Sequence, residues 1–223
     1  AVIRDPDVDL VVELIGGTHA ARDLVLQALR MGKPVVTANK ALLAEAGEEL
    51  YRAAEESKTD LFFEASVAGG LPIIKALREG LIANHIEGIT GILNGTCNYI
   101  LTCMERREQD FFAALQAAQQ AGYAEAEPSL DIDGIDTAHK AVILASLAYG
   151  MPVPMSSVHI EGLRGISRID LEYARELGCR IKLLAVIKHV AGDVEVRVHP
   201  ALVPLDSILA SVGGVYNAVA VKG

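Results

Sequence analysis

The sequence predicts an α/β protein: part of a doubly wound parallel layer, followed by a larger α+β domain. Three observations predict it. Up to about residue 66, short apolar runs alternate with amphipathic stretches, the rhythm of β-α-β units. After "AGGLPIIKALREGL" the rhythm changes to runs of helix and then of strand. Hydrophobic residues make up 51% of the 223 residues while aromatics are only 4%, so the core must be built from Ala, Val, Ile and Leu.

The elements follow in order. "VDLVVELIGG" (8–17) is a nearly continuous apolar run ending in two glycines, which suits a strand buried on both faces. "THAARDLVLQALRMG" (18–32) places Ala21, Leu24, Val25, Ala28 and Leu29 at helical spacing, and Gly32 is a good stop. "KPVVTANK" (33–40) reads as a second strand, "ALLAEAGEELYRAAEES" (41–57) as a second helix and "TDLFFEASV" (59–67) as a third strand. Short connections then imply right-handed crossovers. Pro72 can open a helix. "HIEGITGILNG" (85–95) is a strand ending in a turn, helices follow at roughly 96–106 and 109–121, and another spans about 133–149. The second half of that last helix, "AVILASLA", is apolar all round and so predicted to be buried. "RIKLLAVIKHV" and "DVEVRVHPALV" read as strands joined at "AGD". The division into 1–66 and 67–223 follows.

Several function classes are disfavoured. The net charge is −9 without a run of Lys or Arg, which speaks against a nucleic-acid partner. No 18-residue apolar stretch predicts a membrane span, and "AVIRDPDVD" does not read as a signal peptide. Cys97, Cys103 and Cys179 are widely spaced, and the six histidines are scattered. Disulfides and a zinc site are therefore not expected, and a reducing cytoplasm fits better. A doubly wound nucleotide fold usually opens with G-x-G-x-x-G, which does not occur here. The chain therefore reads as a piece of a longer protein.

"EAEPSLDIDGIDTAHK" (125–140) gathers Glu125, Glu127, Asp131, Asp133 and Asp136 ahead of Lys140. A calcium loop fails on register, because its glycine should follow the third acid and here follows the second. A solvated turn accounts for two of the acids, with Asp133 as an N-cap and Asp136 in the first helical turn. On that view Asp136 and Lys140 form a surface i,i+4 pair worth about 0.3–0.5 kcal/mol. Against it, Lys140 adjoins the buried "AVILASLA", where a lysine is costly without a partner or a substrate. An acid one turn away could make it a tuned proton donor, and spacing leaves both readings open. "TANK" (37–40) puts Lys40 at the carboxyl end of a parallel strand, where such sheets bind ligands, although a cation there opposes the helix dipole. In "LNGTCNY" (93–99) a turn at Asn94-Gly95 with Thr96 as N-cap outweighs a catalytic role for Asn98 or Cys97, and Cys97 is expected in the core.

Together these segments resemble homoserine dehydrogenase. "GILNGTCNYIL" and "GYAEAEPSLDIDGIDTAHKAVILASLAYG" look like its signature region. "ELIGGTHAARDLVLQALRMGKPVVTANKALLA" looks like the middle of its nucleotide-binding domain, and "FEASVAGGLPIIKALREGL" like the crossover into its substrate domain. The likeness runs through nearly the whole chain. Its opening Gly-rich turn, its Gly-rich return stretch and the regulatory domain of many members are not in this sequence. The resemblance implies a Rossmann-type nucleotide-binding layer and a substrate-binding, catalytic and dimerisation domain. It implies reduction of L-aspartate 4-semialdehyde to L-homoserine with NADPH or NADH. By the same resemblance Asp136 and Lys140 match the catalytic pair, with Lys140 the proton donor. Glu125 and Asp131 match positions that bind the substrate's amino end. Lys40 matches a lysine close to nicotinamide and substrate, and Thr18 a cofactor contact. Glu64, Val67, Gly69 and Leu71 match a loop holding a sodium ion. The resemblance also implies a homodimer or homotetramer, for which the strands near 180–199 are the candidate contact. The remaining readings are another dehydrogenase on the same fold and a non-enzymatic metabolite-binding piece.

Overall fold

The structure, a computed structural model, describes residues 2–223. By packing, the chain divides into two units. Unit 1 takes the chain up to Ala83 together with Val142–Ser156, and unit 2 takes Asn84–Ala141 and Ser157–Gly223. The helix Ile135–Tyr149 contributes its first half to unit 2 and its second half to unit 1, and Ala141 to Ala145 along it are 2% exposed or less. The packing division is thus discontinuous and runs past residue 66.

In unit 1, β1 (Val11–Glu13), β2 (Val35–Thr37) and β3 (Leu61–Phe62) form a parallel sheet in that order, linked by α1 (His19–Arg30) and α2 (Lys40–Glu56). α1 buries Ala21, Val25, Leu26, Ala28 and Leu29, and stops where Gly32 takes a left-handed φ of 74°. α2 buries Leu42, Leu43 and Leu50, each such leucine contributing about 1.5–3 kcal/mol. Two successive crossovers in one direction put both helices on one face, where they pack together. The opposite face carries Val12 and Phe62, which are 56% and 44% exposed. The first strand is therefore not covered on both faces in this chain, contrary to the reading of its apolar run. The third strand is also shorter than predicted. After Phe63 the chain turns, held by Ser66, whose N–H and hydroxyl both donate to the Phe63 carbonyl.

In unit 2 a five-stranded sheet has the order β5 (His159–Ile160), β7 (Asp193–Pro204), β6 (Cys179–Val190), β4 (Gly88–Ile92), β8 (Ala218–Lys222). Only β5–β7 is parallel. β6 and β7 form the expected hairpin, joined by Ala191 and Gly192 with φ of 51° and 97°. Ile181, Leu183, Ala185 and Ile187 alternate along one buried face of β6, while Leu184 on the other face packs with Ile92, Val203, Leu209 and Ala210. β4 leads straight into the helix Gly95–Arg106, and a second helix, Phe111–Gln120, is capped by Asp110. Among the described residues no helix is long and apolar enough to cross a membrane.

Candidate active site

In unit 2 the acidic loop forms one helical turn, Ser129–Ile132, and breaks at Gly134 before the helix Ile135–Tyr149 begins. Gly134 has φ of 85°, and a Cβ there would press at 3.2 Å on both Ile160 Cγ2 and Val198 Cγ1. That break puts Asp136 in the first turn and Lys140 one turn later on the same side. Lys140 Nζ lies 2.6 Å from Asp136 Oδ2 and 2.8 Å from the Leu93 carbonyl. The two side chains are 16% and 9% exposed, so this is a mostly buried ion pair and not a surface one. An ammonium has three N–H donors, and two of them are used here.

Asn94 organises this pair, a role the sequence reading missed. Its Oδ1 accepts from Cys97 N at 2.8 Å and so caps the Gly95–Arg106 helix. Its Nδ2 donates to Asp131 Oδ1 at 2.7 Å and to Asp136 Oδ2 at 2.9 Å. Thr96 is not the cap, and its hydroxyl donates to the Tyr123 carbonyl instead. The signal was present, since Asn ranks above Thr as a cap. Cys97 is fully buried, as expected of a core residue, and its Sγ donates to the Asp131 carbonyl. Burial, then the neighbouring Asp131 and Asp136 carboxylates, push its thiol well above the usual range, so it stays protonated.

Asp133 spends its carboxylate on Arg164, whose Nη2 also donates to Ser129 Oγ, and not on the predicted N-cap. Gly162 lies hard against this turn: a Cβ there would be 2.2 Å from the Ile132 carbonyl oxygen. Glu125 sits in the exposed stretch before the turn, where its backbone carbonyl accepts from Gln119. Among the described residues no hydrogen bond joins its carboxylate to the Asn94 cluster.

In unit 1, Thr18 and Lys40 open α1 and α2 at the carboxyl edge of the parallel sheet. Gly16 and Gly17, with φ of 78° and 70°, lead into Thr18, and a Cβ on either would meet nothing within 4 Å. That open, glycine-lined edge fits a dinucleotide. Beneath it lies Glu13, buried and hydrogen-bonded to Thr37, which the sequence reading did not single out. A lone acid inside an apolar strand was the signal. In the turn carrying Glu64, Val67, Gly69 and Leu71, the Glu64 carboxylate accepts from Ile74 N and Lys75 N, both at 2.9 Å. The Leu71 carbonyl accepts from Ile73 N, while among the described residues those of Val67 and Gly69 accept no hydrogen bond. Among the described residues no group of three or more His, Cys, Asp or Glu side chains could hold a metal. A cavity of about 850 Å³ in unit 1 is lined by α2, Leu61, Phe63 and Gly150 to Pro154, and by none of these candidates.

A parallel βαβαβ layer with an open glycine-lined edge, on one chain with a mixed-sheet unit that buries a carboxylate–ammonium pair, is the architecture of the two-domain nucleotide-dependent dehydrogenases. A family model described as the NAD binding domain of homoserine dehydrogenase matches residues 1–64, and one for homoserine dehydrogenase matches residues 72–223. The chain belongs to the homoserine dehydrogenase family. It is 50% identical over 229 residues to the homoserine dehydrogenase of Neisseria gonorrhoeae, covering 100% of this chain and 53% of that protein. A crystal structure of a homoserine dehydrogenase from Thiobacillus denitrificans aligns with TM-score 0.97 and 51% identity over 99% of this chain and 51% of that one. A hyperthermophilic archaeal homoserine dehydrogenase in complex with NADPH aligns with TM-score 0.83 and 31% identity, over 96% and 61% respectively. The chain spans about half the length of the curated relatives it matches.

Proposed function

We propose that the full-length protein interconverts L-aspartate 4-semialdehyde and L-homoserine with NADPH or NADH, in threonine and methionine biosynthesis in the cytoplasm. The observation that carries this reading is the mostly buried Asp136–Lys140 pair. When bound, the reduced nicotinamide supplies a hydride to the substrate carbonyl. Lys140 gives the third proton of its ammonium to the alkoxide oxygen, while Asp136 and the Leu93 carbonyl hold the amine in place. The side chain is 16% exposed and regains a proton from solvent. Asp131 and Glu125 take the substrate ammonium, because acids suit a cation. Lys40 steadies the carbonyl or the carboxylate of the substrate, and together with Thr18 it contacts the dinucleotide.

Glu64, Val67, Gly69 and Leu71 hold a sodium ion, chiefly through backbone oxygens. The two carbonyls without hydrogen bonds support this, as does the hardness match of carbonyl and alkali cation. Replacing sodium by choline in the assay should then lower the rate, and an unchanged rate would remove the ion. β6 and β7 serve self-association into a dimer or tetramer, supported by Val190 and Leu202, which are 47% and 55% exposed. Light scattering of the full-length protein tests that.

The decisive assay is oxidation of L-homoserine with NADP and with NAD by the full-length enzyme. The expected result is turnover of homoserine and none of its des-amino analogue, and equal rates on the two would refute the reading. Glu125→Gln should raise the homoserine KM by about tenfold to a hundredfold with kcat nearly unchanged, as a lost hydrogen bond to a charged group would.

A further inference from the structure

We propose that Glu13 is a positioning residue that locks the two loops carrying Thr18 and Lys40 into one rigid edge. The inference rests on the reading that Thr18 and Lys40 meet the dinucleotide. Glu13 is the last residue of β1 and lies in register with Thr37, the last of β2. It is 3% exposed and Thr37 1%, so a charge is buried where apolar strand residues would suffice. Its Oε1 accepts from Ile15 N at 2.8 Å and Gly16 N at 3.0 Å. Its Oε2 accepts from Thr37 Oγ1 at 2.6 Å. Thr37 Oγ1 accepts in turn from Asn39 N at 3.0 Å. Asn39 closes the circuit, since its Nδ2 donates to the Gly17 carbonyl at 2.7 Å while its Oδ1 caps α2 at Leu42 N.

The circuit therefore runs from the loop after β1 to the loop after β2 and back. It touches the residue before Thr18 and the residue before Lys40. Gly16 and Gly17 are left-handed, and a Cβ on either would meet nothing within 4 Å, so the loop owes its placement to backbone hydrogen bonds such as these and not to packing at those two positions. Burial opposes the Glu13 charge, but the hydrogen bonds from Thr37, Gly16 and Ile15 outweigh it and hold the carboxyl below the usual range. The ionised carboxylate also fills the amides of Ile15 and Gly16, so a cofactor phosphate must find its donors elsewhere on this edge.

The test measures NADPH dissociation by fluorescence titration, homoserine KM and thermal melting on the full-length enzyme. Thr37→Val keeps shape and removes the hydroxyl link, whereas Thr37→Ser keeps the link. Thr37→Val should weaken NADPH about tenfold with homoserine KM within about twofold, and Thr37→Ser should bind as wild type. Glu13→Gln, which leaves an amide facing the Thr37 hydroxyl, should weaken NADPH at least as much as Thr37→Val. If Thr37→Val lowers the melting temperature but binds NADPH as tightly as wild type, the residue is merely structural and the proposal is overturned. Thr18→Ala and Lys40→Met separate the two claims. If neither alters NADPH binding, the assignment of Thr18 and Lys40 fails whatever Glu13 does. If they weaken binding and the Thr37 and Glu13 variants do not, only the positioning role fails.

Discussion

Asn94 donates to the same oxygen of Asp136, Oδ2, that receives the Lys140 ammonium. Its amide also reaches Asp131 Oδ1, so one NH2 group spans two carboxylates of like charge and uses a separate hydrogen for each. The same side chain starts the Gly95–Arg106 helix through Oδ1. Folding and site geometry thus converge on one residue, and a substitution can separate them.

Asn94→Ser should keep the cap, since Ser ranks with Asn at that position. It should lose both carboxylate bonds and lower kcat/KM for homoserine by about tenfold to a hundredfold. Asn94→Asp keeps cap and shape but adds a third carboxylate beside two others, and should be worse in both activity and melting temperature. Steady-state kinetics and melting curves decide. Asn94→Asp matching or exceeding Asn94→Ser would show that the bridge is not electrostatic.

Lys140→Ala should cut kcat by about 10²–10⁴, the usual contribution of a positioned acid or base. NADPH affinity should stay the same. The structure adds a stability effect that a surface pair would not give. With the ammonium gone, a 9%-exposed carboxylate and the Leu93 carbonyl lose a donor, at a cost of about 1–3 kcal/mol. Adding Asp136→Asn removes the buried negative charge that the ammonium had balanced, so the double variant should recover part of the lost stability and none of the activity. Urea melts of the single and double variants test this, and a double variant no more stable than Lys140→Ala would contradict it.

Most helices and longer strands of both units could be read from the sequence because their determinants are local, whereas β5, β8 and the helix Arg168–Glu176 were not singled out. Helical periodicity marked α1 and α2, and "AGD" marked the β6–β7 hairpin. The i,i+4 spacing of Asp136 and Lys140 was legible for the same reason. Whether that pair was buried was not, because burial depends on Leu93 and Asn94, more than 40 positions away in the chain. Arg164, and the bonds of Asn94 to Asp131 and Asp136 and of Glu13 to Thr37, escaped attention because those partners are distant in the chain and are brought together only by the fold. The open face of β1 was not legible because its apolar run is the pattern of a strand covered on both faces, and Val12 on the uncovered face is itself apolar.

Gly162 is a position where side-chain volume alone should decide. A Cβ there would lie 2.2 Å from the Ile132 oxygen and 2.5 Å from Asp133 Cα, both backbone atoms that no side-chain rotation can move aside. The adjacent Leu163 N–H donates to that same Ile132 carbonyl at 2.7 Å, so the approach is part of how the acidic turn is held. Gly162→Ala should displace the turn that carries Asp131, raise homoserine KM and lower the melting temperature, whereas Gly165→Ala, with nothing within 4 Å, serves as the control. Equal behaviour of the two variants would show that the turn is not clamped as described.

Lys182 gives the protein a pH dependence of predictable sign. It is 2% exposed on β6, and its Nζ donates to Asn98 Oδ1 at 2.9 Å and to the Val212 carbonyl. Burial, with Arg180 and Arg106 nearby and only partly offset by Glu105, lowers its pKa from 10.5 to about 8. Below pH 8 the lysine is protonated in both the folded and the unfolded chain, and the cost of burying the charge is present in full. Between about 8 and 10.5 the folded chain has released the proton and the unfolded chain still holds it. The unfolded state then binds more protons, so stability rises with pH, by at most about 1.4 kcal/mol per pH unit. Lys182→Met removes the titrating group, and with it this rise. Other groups that titrate in alkali are common to both proteins and cancel in the comparison. Urea unfolding at pH 7.5 and 9.5 should therefore show the wild type gaining on Lys182→Met as the pH is raised. A constant difference between the two proteins across that range would mean that Lys182 titrates like an exposed lysine, and that its hydrogen bonds to Asn98 and Val212 hold the charge at no cost.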